Sequence, residues 1–188
     1  MRGSQALVIT EDIIDRGRYH YSSQTSVTWE TSEIRQYLNS TFLNTFNEAD
    51  RRRITNTIVI NNNNPWFDTY GGNNTVDRIF LLSIEEVVRY FGDSGQFANR
   101  PDSAWAISDE YSLARIALDP AGGSMLIWDD VDEDKAPWVW WLRSPGRSSI
   151  SSYAAAFVDE GGDINVVGHF ATNTWVGIRP ALWLDLQP

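Results

Sequence analysis

The chain has 188 residues, 42% of them apolar, and a formal net charge of −10, which is the length and composition of one globular domain. Because it contains no cysteine, disulfides, thiolate nucleophiles, cysteine-ligated zinc and iron–sulfur clusters are excluded. Two histidines, His20 and His169, are too few for a multi-histidine metal site, and the negative charge argues against nucleic acid as a partner.

The first four residues carry no secretion signal. Met1-Arg2-Gly3-Ser4 lacks the apolar segment of a signal peptide, and we interpret residues 1–4 as a start methionine with added residues before a single domain at 5–188. No apolar run approaches the roughly 20 residues that a membrane-spanning helix needs, so no membrane insertion is expected. The sequence leaves the compartment undetermined.

The first third of the chain mixes strands and helices. Residues 6–9 are a short apolar run typical of a strand, which needs a pairing partner from elsewhere because it begins almost at the terminus. Apolar residues recur at helical spacing over the ten positions after Ser32, which predicts a helix there. Thr31 or Ser32 can cap this helix. A second short helix is predicted with Asn47 as its N-cap and three arginines at its end, and residues 54–60 alternate like a half-buried strand.

The middle of the chain combines one well-marked helix with two irregular regions. Residues 61–74 are rich in asparagine and glycine, which is typical of a loop. After an apolar strand at 79–82, Ser83 and the glutamate three residues later have the spacing of a capping box that opens a helix. Residues 92–137 are predicted to be irregular with one helix near 111–117, and long loops of this kind are usually functional or disordered.

From Trp138 onward the sequence predicts an antiparallel, tryptophan-rich sheet. Short apolar segments are separated by glycine turns, and no internal repeat or linker divides the chain. We therefore predict a single α+β domain in which a few short helices pack on antiparallel sheet with long irregular loops. The strands of this sheet are predicted at 139–142, 154–158, 163–167 and 176–184.

Five collinear blocks of residues resemble a widespread family of bacterial domains. The blocks are Thr28-Trp29-Glu30 with Ile34-Arg35-Gln36-Tyr37-Leu38-Asn39, then Gly71-Gly72-Asn73-Asn74-Thr75-Val76-Asp77, Ile79-Phe80-Leu81-Leu82-Ser83, Trp140-Trp141-Leu142-Arg143-Ser144-Pro145-Gly146 and Gly177-Ile178-Arg179-Pro180-Ala181-Leu182-Trp183. They resemble segments of the DUF6273 family, whose function is unknown, and together they extend over nearly the whole chain.

The last two blocks are also similar to the ending of C-type-lectin-like folds. Such folds include relatives of the formylglycine-generating enzyme and the variable proteins of diversity-generating retroelements. The resemblance implies a compact α+β domain whose late strands present a ligand surface. Family members usually have one more strand before 6–9, so we expect an incomplete sheet edge there. We interpret Arg143 and Arg179 as structural ion-pair partners rather than ligand contacts.

Catalytic interpretations of the sequence are weak. The formylglycine-generating branch depends on cysteines and the related iron-dependent sulfoxide-forming branch on several histidines, which this chain lacks. A serine hydrolase built on Ser144 and His169 would lack the Gly-x-Ser-x-Gly elbow. A glycosidase needs only two well-placed carboxylates, and 25 acidic residues always contain candidate pairs. We expect a non-enzymatic protein without a cofactor, with a carboxylate-dependent hydrolase of glycans or peptidoglycan as the alternative.

The acidic run at 129–134 suggests calcium only weakly. Calcium prefers clustered carboxylate oxygens, which makes Asp129, Asp130, Asp132 and Asp134 candidate ligands. The EF-hand pattern is absent, because no glycine stands at the turn position and no glutamate closes the loop. A solvated acidic loop is the preferred interpretation, and no metal is predicted.

Two segments between the family blocks have the composition of a binding surface. Residues 147–153 and 169–175 are rich in Ser, Tyr, His, Phe, Asn and Trp. Rigid aromatic rings supply contact area at low entropic cost, and small polar side chains supply adaptable hydrogen bonds. On the strand between them, two polar residues alternate with apolar ones and would face the same side. The predicted ligand-binding residues are Ser149, Ser151, Ser152, Tyr153, Asp163, Asn165, His169, Phe170, Asn173 and Trp175.

Three hypotheses about function follow from these patterns. The leading one is a non-catalytic domain that binds an unknown protein or glycan through this C-terminal surface. Its sharper version is the diversified variable protein of a diversity-generating retroelement, because mutation of asparagine codons at adenine readily yields Tyr, Ser, His, Phe and Asp. The second hypothesis is the carboxylate-dependent hydrolase described above. The third is a structural module that completes its sheet with a second copy or a neighbouring domain.

Overall fold

The strands of this protein form several small sheets, and its helices are few and short. The computed structural model describes residues 3–22, 26–120, 136–148 and 153–187. Its helices are α1 (Glu33–Tyr37), α2 (Glu48–Arg53), α3 (Ile84–Phe91) and α4 (Ser112–Arg115). Its strands are β1 (Gln5–Ile9), β2 (Asp15–Arg16), β3 (Thr57–Val59), β4 (Thr75–Asp77), β5 (Ile79–Phe80), β6 (Ala106–Ile107), β7 (Ala117–Asp119), β8 (Ala136–Trp138), β9 (Trp140–Pro145), β10 (Ala154–Val158), β11 (Ile164–Phe170), β12 (Gly177–Ile178) and β13 (Ala181–Asp185).

A six-stranded sheet in the order β2-β12-β9-β10-β11-β6 forms the centre of the fold. Its strands pair antiparallel except for β12, which runs parallel to β9. Every residue of β9 and β10 is buried, so both faces of this sheet are covered. The α+β class is confirmed, and the tryptophan-rich sheet predicted after Trp138 is antiparallel as expected except where β12 pairs with β9.

The strand predicted at 176–184 is two strands in different sheets. Its first part, β12, joins the central sheet, whereas β13 pairs with β1 and β5 in a three-stranded sheet of order β1-β13-β5. The break falls at Arg179 and Pro180, because proline has no backbone N–H to donate to a ladder. The partner that the strand at 6–9 needed is thus β13, with Leu7 opposite Trp183.

Strand β1 lies at the edge of its sheet. The backbone of Leu186 donates to the carbonyl of Ser4, and that of Thr10 donates to the carbonyl of Pro180. Since backbone groups alternate in direction along an antiparallel strand, the odd-numbered residues of β1 direct theirs away from β13. Among the described residues β1 has no second neighbouring strand.

The helix caps predicted from the sequence are present. Ser32, rather than Thr31, caps α1 by accepting from the backbone of Arg35, and α1 continues as a π-helical turn over Leu38–Phe42. Asn47 caps α2, and Ser83 forms both halves of a capping box with Glu86. No helix of the described residues has the length and apolar character to cross a membrane.

Two other predictions differ from the structure, one in the length of a strand and one in the amount of regular structure. The strand at 54–60 is reduced to β3, which is half-buried as predicted: Val59 is 3% exposed and Ile58 is 67% exposed. The region at 92–137 contains α4 as predicted but also the strands β6, β7 and β8, so its described part is less irregular than the sequence suggested.

Two buried arginines, Arg143 and Arg179, donate to backbone carbonyl oxygens of distant segments. Arg143 forms the predicted ion pair, with Glu86, and also donates to the carbonyls of Leu81 and Ile60. Arg179, for which an ion pair was also predicted, donates to the carbonyl oxygens of Thr10 and Arg115 and lies over the ring of Trp140. Burial lowers the pKa of Arg179 to about 10, so it still carries its charge at neutral pH.

Candidate functional site

Five predicted site residues form one cluster, here called the aromatic surface: Tyr153, His169, Phe170, Asn173 and Trp175. Ala154 pairs with Phe170, so the start of β10 and the end of β11 meet at one end of the hairpin. The rings of Tyr153 and Phe170 stack with their centroids 5.9 Å apart, and 44% of Phe170 is exposed. His169 packs edge-on against Trp175 at 5.3 Å and against Phe170 at 5.9 Å, so the exposed ring has aromatic neighbours.

The imidazole of His169 accepts a hydrogen bond through Nδ1. Its Nδ1 accepts from the backbone N–H of Phe170 at 2.9 Å, and the side-chain amide of Asn173 also contacts this nitrogen. Because an accepting Nδ1 carries no proton, the proton of the neutral ring lies on Nε2. Burial lowers the pKa of His169, which agrees with an uncharged ring at neutral pH.

Strand β11 has a bulge between Asn165 and His169. The register with β10 shifts between Ala155, which faces His169, and Phe157, which faces Asn165. Gly168 lies inside the bulge with φ of 85°, and its N–H donates to Oδ1 of Asn165. The structure therefore gives Asn165 a role in shaping the bulge, whereas the sequence suggested ligand contact alone.

Asp163 does not lie on the aromatic surface. It precedes β11 at the opposite end of the hairpin, where its Oδ1 accepts from the hydroxyl of Ser112 at 2.7 Å. The alternation of Asp163 and Asn165 with apolar residues is present, but alternation fixes only the face of a strand and not the position along it.

Some of the predicted site residues lie outside the described part of the chain. These are Ser149, Ser151 and Ser152 at the rim of the predicted surface and the calcium candidates Asp129, Asp130, Asp132 and Asp134. Among the described residues no group of three or more His, Asp or Glu side chains could hold a metal ion.

A second concave feature, which the sequence did not reveal, lies beside the N-terminus of α3. We call this cavity of about 540 Å³ the asparagine cleft. Its floor is made of buried residues and its rim of exposed polar ones, with the half-buried ring of Phe97 at one side. Its lining residues are Asn62, Asn63, Asn64, Pro65, Asp68, Ser83, Ile84, Glu85, Phe97 and Ser144.

The buried amide of Asn64 fixes the floor of the asparagine cleft to the central sheet. Its Nδ2 donates to the carbonyls of Pro145 and Val166, both at 2.8 Å. Its Oδ1 accepts from the backbone N–H groups of Trp66 and Phe67 at 3.0 and 3.1 Å. Both ends of the amide are thus fully used, and the loop is anchored to β9 and β11.

The rim of the cleft carries two carboxylates, each held by an asparagine. Asn62 donates to Glu85 at 2.6 Å, and Asn63 donates to Asp68 at 2.8 Å. Sequence reasoning placed these residues in a loop and on a helix without connecting them. The run of four asparagines was the signal available, but its composition indicates a turn equally well.

Comparison with known proteins gives one family and no individual relative. The family described as DUF6273, a domain of unknown function, matches residues 3–186. No functionally curated protein shows significant similarity to the chain, and neither does any solved structure. The match extends over almost all 188 residues, in agreement with the five blocks found in the sequence. The chain therefore belongs to the DUF6273 family of domains of unknown function.

Proposed function

We propose that this chain is a non-catalytic ligand-binding domain and that the aromatic surface is its binding face. The observation that carries the proposal is the exposed ring of Phe170, which stacks on the partly buried ring of Tyr153 and contacts His169, itself packed against Trp175. Aromatic anchors held rigid before binding lose little conformational entropy when a ligand arrives.

The shape of the aromatic surface favours a protein or an extended glycan as ligand. Five cavities among the described residues are lined entirely by residues outside this surface, whereas small molecules are usually held in concave sites. An exposed ring backed by packed neighbours has the character of an interface anchor. The position of the surface on the late strands is consistent with the C-type-lectin-like resemblance, which remains part of this proposal.

A diversity-generating retroelement would make this surface a variable one. In that version of the proposal, residues of the aromatic surface differ among copies of the gene while the frame of β9 and β12 stays constant. A template repeat in the neighbouring DNA, matching this segment except at adenines, would support it. The absence of such a repeat would remove the retroelement but leave the binding surface in place.

The test is a binding screen with arrays of proteins and glycans, run on the wild-type chain and on Phe170→Ala. Loss of an interface anchor typically costs about 2 kcal/mol or more, so we expect a hit to weaken roughly thirtyfold. Tyr90→Ala is the matched control, since Tyr90 is 43% exposed and belongs to α3. A ligand whose affinity is equal in wild type and Phe170→Ala would exclude the aromatic surface as its site.

One observation favours the hydrolase as a second candidate function. Asp68 and Glu85 line the same cleft, and a pair of carboxylates is the minimum that glycoside hydrolysis needs. Release of reducing ends from neutral oligosaccharides or peptidoglycan, abolished by either Asp68→Asn or Glu85→Gln, would establish it. Binding without turnover in the wild type would reject it.

The open edge of β1 supports the structural-module hypothesis. The outward backbone groups of Gln5, Leu7 and Ile9 can pair with another strand, and β1 has no charged side chain to prevent this. Self-association measured by light scattering should fall in Gln5→Pro, because proline is tolerated at the first residue of a strand but removes its outward N–H. A concentration-independent monomer would reject the hypothesis of a second copy.

A further inference from the structure

We propose that the asparagine cleft binds a neutral carbohydrate, at a site separate from the aromatic surface. The cleft joins two asparagine-held carboxylates on its rim to two buried hydroxyls on its floor. Its volume of about 540 Å³ lies within the range of small-molecule sites, roughly 300–1,000 Å³. This size suits one or two sugar rings.

The rim supplies hydrogen-bond acceptors. Glu85 and Asp68 each use one carboxylate oxygen to accept from Asn62 and Asn63, and in the described residues the other oxygen of each has no partner. An ionised carboxylate only accepts, and hydrogen bonds to charged groups are stronger than neutral ones. The hydroxyl groups of a sugar are donors that match these free oxygens.

The floor supplies hydrogen-bond donors. The hydroxyl oxygens of Ser83 and Ser144 accept from the backbone N–H groups of Glu86 and Ile84 at 3.1 and 3.0 Å. Each hydroxyl keeps a proton for which the described residues offer no acceptor, although both side chains line the cleft and are only 8% exposed. Because both hydroxyls line the cleft, each can donate its proton to an acceptor oxygen of a ligand.

The charge of the lining selects against anionic ligands. It contains two carboxylates and no lysine or arginine, so a phosphate, sulfate or uronic acid would meet uncompensated negative charge. The half-buried ring of Phe97 adds one apolar surface, which suits the C–H face of a sugar ring. A neutral ligand with hydroxyls on its edges and an apolar face satisfies all of these groups together.

The cleft is preorganised for binding. Asn64 is fully hydrogen-bonded below it, and the capping box of α3 fixes Ser83 and Glu86. The rim carboxylates are fixed by the two asparagines as well. A ligand therefore has few side chains to order, which lowers the cost of binding.

The experiment is a titration of ¹⁵N-labelled protein with a panel of neutral methyl glycosides and disaccharides, in the presence of EDTA. We expect at least one neutral sugar to shift the side-chain amide signals of Asn62 and Asn63 in a saturable way. The methyl glycoside of galacturonic acid, with its carboxyl group free, should bind at least about tenfold more weakly than methyl galactoside, since it adds a third negative charge.

Two substitutions test whether the rim carboxylates hold the sugar. Asp68→Asn with Glu85→Gln keeps the shape of the rim, and asparagine tolerates the positive φ of 53° at residue 68. We expect this double variant to weaken sugar binding at least about tenfold without a change in melting temperature. Glu48→Gln, which removes an exposed carboxylate of α2, is the matched control and should bind like the wild type.

Two results would overturn the proposal: no neutral sugar shifts the amide signals of Asn62 and Asn63 with EDTA present, or the double variant binds as tightly as the wild type. Sugar binding that Phe170→Ala abolishes and the rim variant does not would place the sugar on the aromatic surface instead. The proposal for the asparagine cleft and the proposal for the aromatic surface can thus be refuted independently.

Discussion

Replacing Asn64 would show whether one buried amide holds the asparagine cleft against the central sheet. Asn64→Ala removes two donated and two accepted hydrogen bonds. At roughly 0.5–1.5 kcal/mol for each bond, the variant should lose about 2–6 kcal/mol of unfolding free energy. For a chain of this length, 2 kcal/mol corresponds to a fall in melting temperature of at least about 4 °C.

Asn64→Asp separates the hydrogen bonds from the volume of the side chain. The introduced carboxylate has the shape of the amide but no donor, and it would face the carbonyl oxygens of Pro145 and Val166. Its burial next to two acceptors should raise the pKa of this carboxyl above the ordinary value of about 3.9. Because the pKa of this carboxyl is raised in the folded state, the loss of stability relative to wild type is complete at neutral pH. The loss shrinks as the pH falls below the folded-state pKa towards about 3.9.

The assay is urea denaturation of wild type, Asn64→Ala and Asn64→Asp at neutral pH and at about pH 4. At neutral pH we expect wild type to be the most stable and Asn64→Asp the least, with the gap between wild type and Asn64→Asp narrowing in acid. Equal stability of Asn64→Asp and wild type at neutral pH would refute the role assigned to Nδ2. A pH-independent gap would refute the burial argument.

Three further predictions concern the hairpin and the capping box. Burial lowers the pKa of His169, so the stability that its neutral ring contributes is complete above pH 6.5 and is lost as the pH falls below that value. In urea denaturation, the free energy of unfolding should therefore fall more steeply towards about pH 5 in wild type than in His169→Gln. An equal dependence on pH in the two proteins would contradict this. A Cβ at Gly168, where φ is 85°, would lie 2.6 Å from the carbonyl oxygen of Ala155, so Gly168→Ala should lower the free energy of unfolding by about 2 kcal/mol or more. Gly161→Ala is the control and should lower it much less, because a Cβ there meets only the Asp159 side chain at 3.4 Å. Ser83→Ala removes the cap of α3 and should cost about 1 kcal/mol in thermal unfolding; an unchanged melting temperature would mean that the capping box contributes nothing.

Features that depend on neighbours in sequence were predictable. The caps at Ser32, Asn47 and Ser83 follow from the reach of a short polar side chain to the next helical turn. Strand β10 was predicted with its correct bounds because its apolar run is bounded by turn residues on both sides. The neighbouring rings of His169 and Phe170 were expected to share a surface, and they do.

Features that depend on distant segments were not predictable. The asparagine cleft joins the loop at 61–68 to the start of α3, to Phe97 and to Ser144, and nothing in one segment indicates the others. Asp163 and His169 lie at opposite ends of one hairpin, although their strand showed a clear alternation. Arg179 shows the same limit, since the carbonyls it binds belong to Thr10 and Arg115.

The pairing of β1 with β13 also has a consequence for how this domain can be joined to other proteins. Ser4 and Leu186 are hydrogen-bonded neighbours, so both ends of the described fold leave it at one point. A fold of this kind can be placed within a surface loop of a host protein without separating the two sides of that loop. The same geometry allows residues 4 and 186 to be joined by a short linker, and a circular permutant opened at an exposed turn should retain the pairing of β1 with β13.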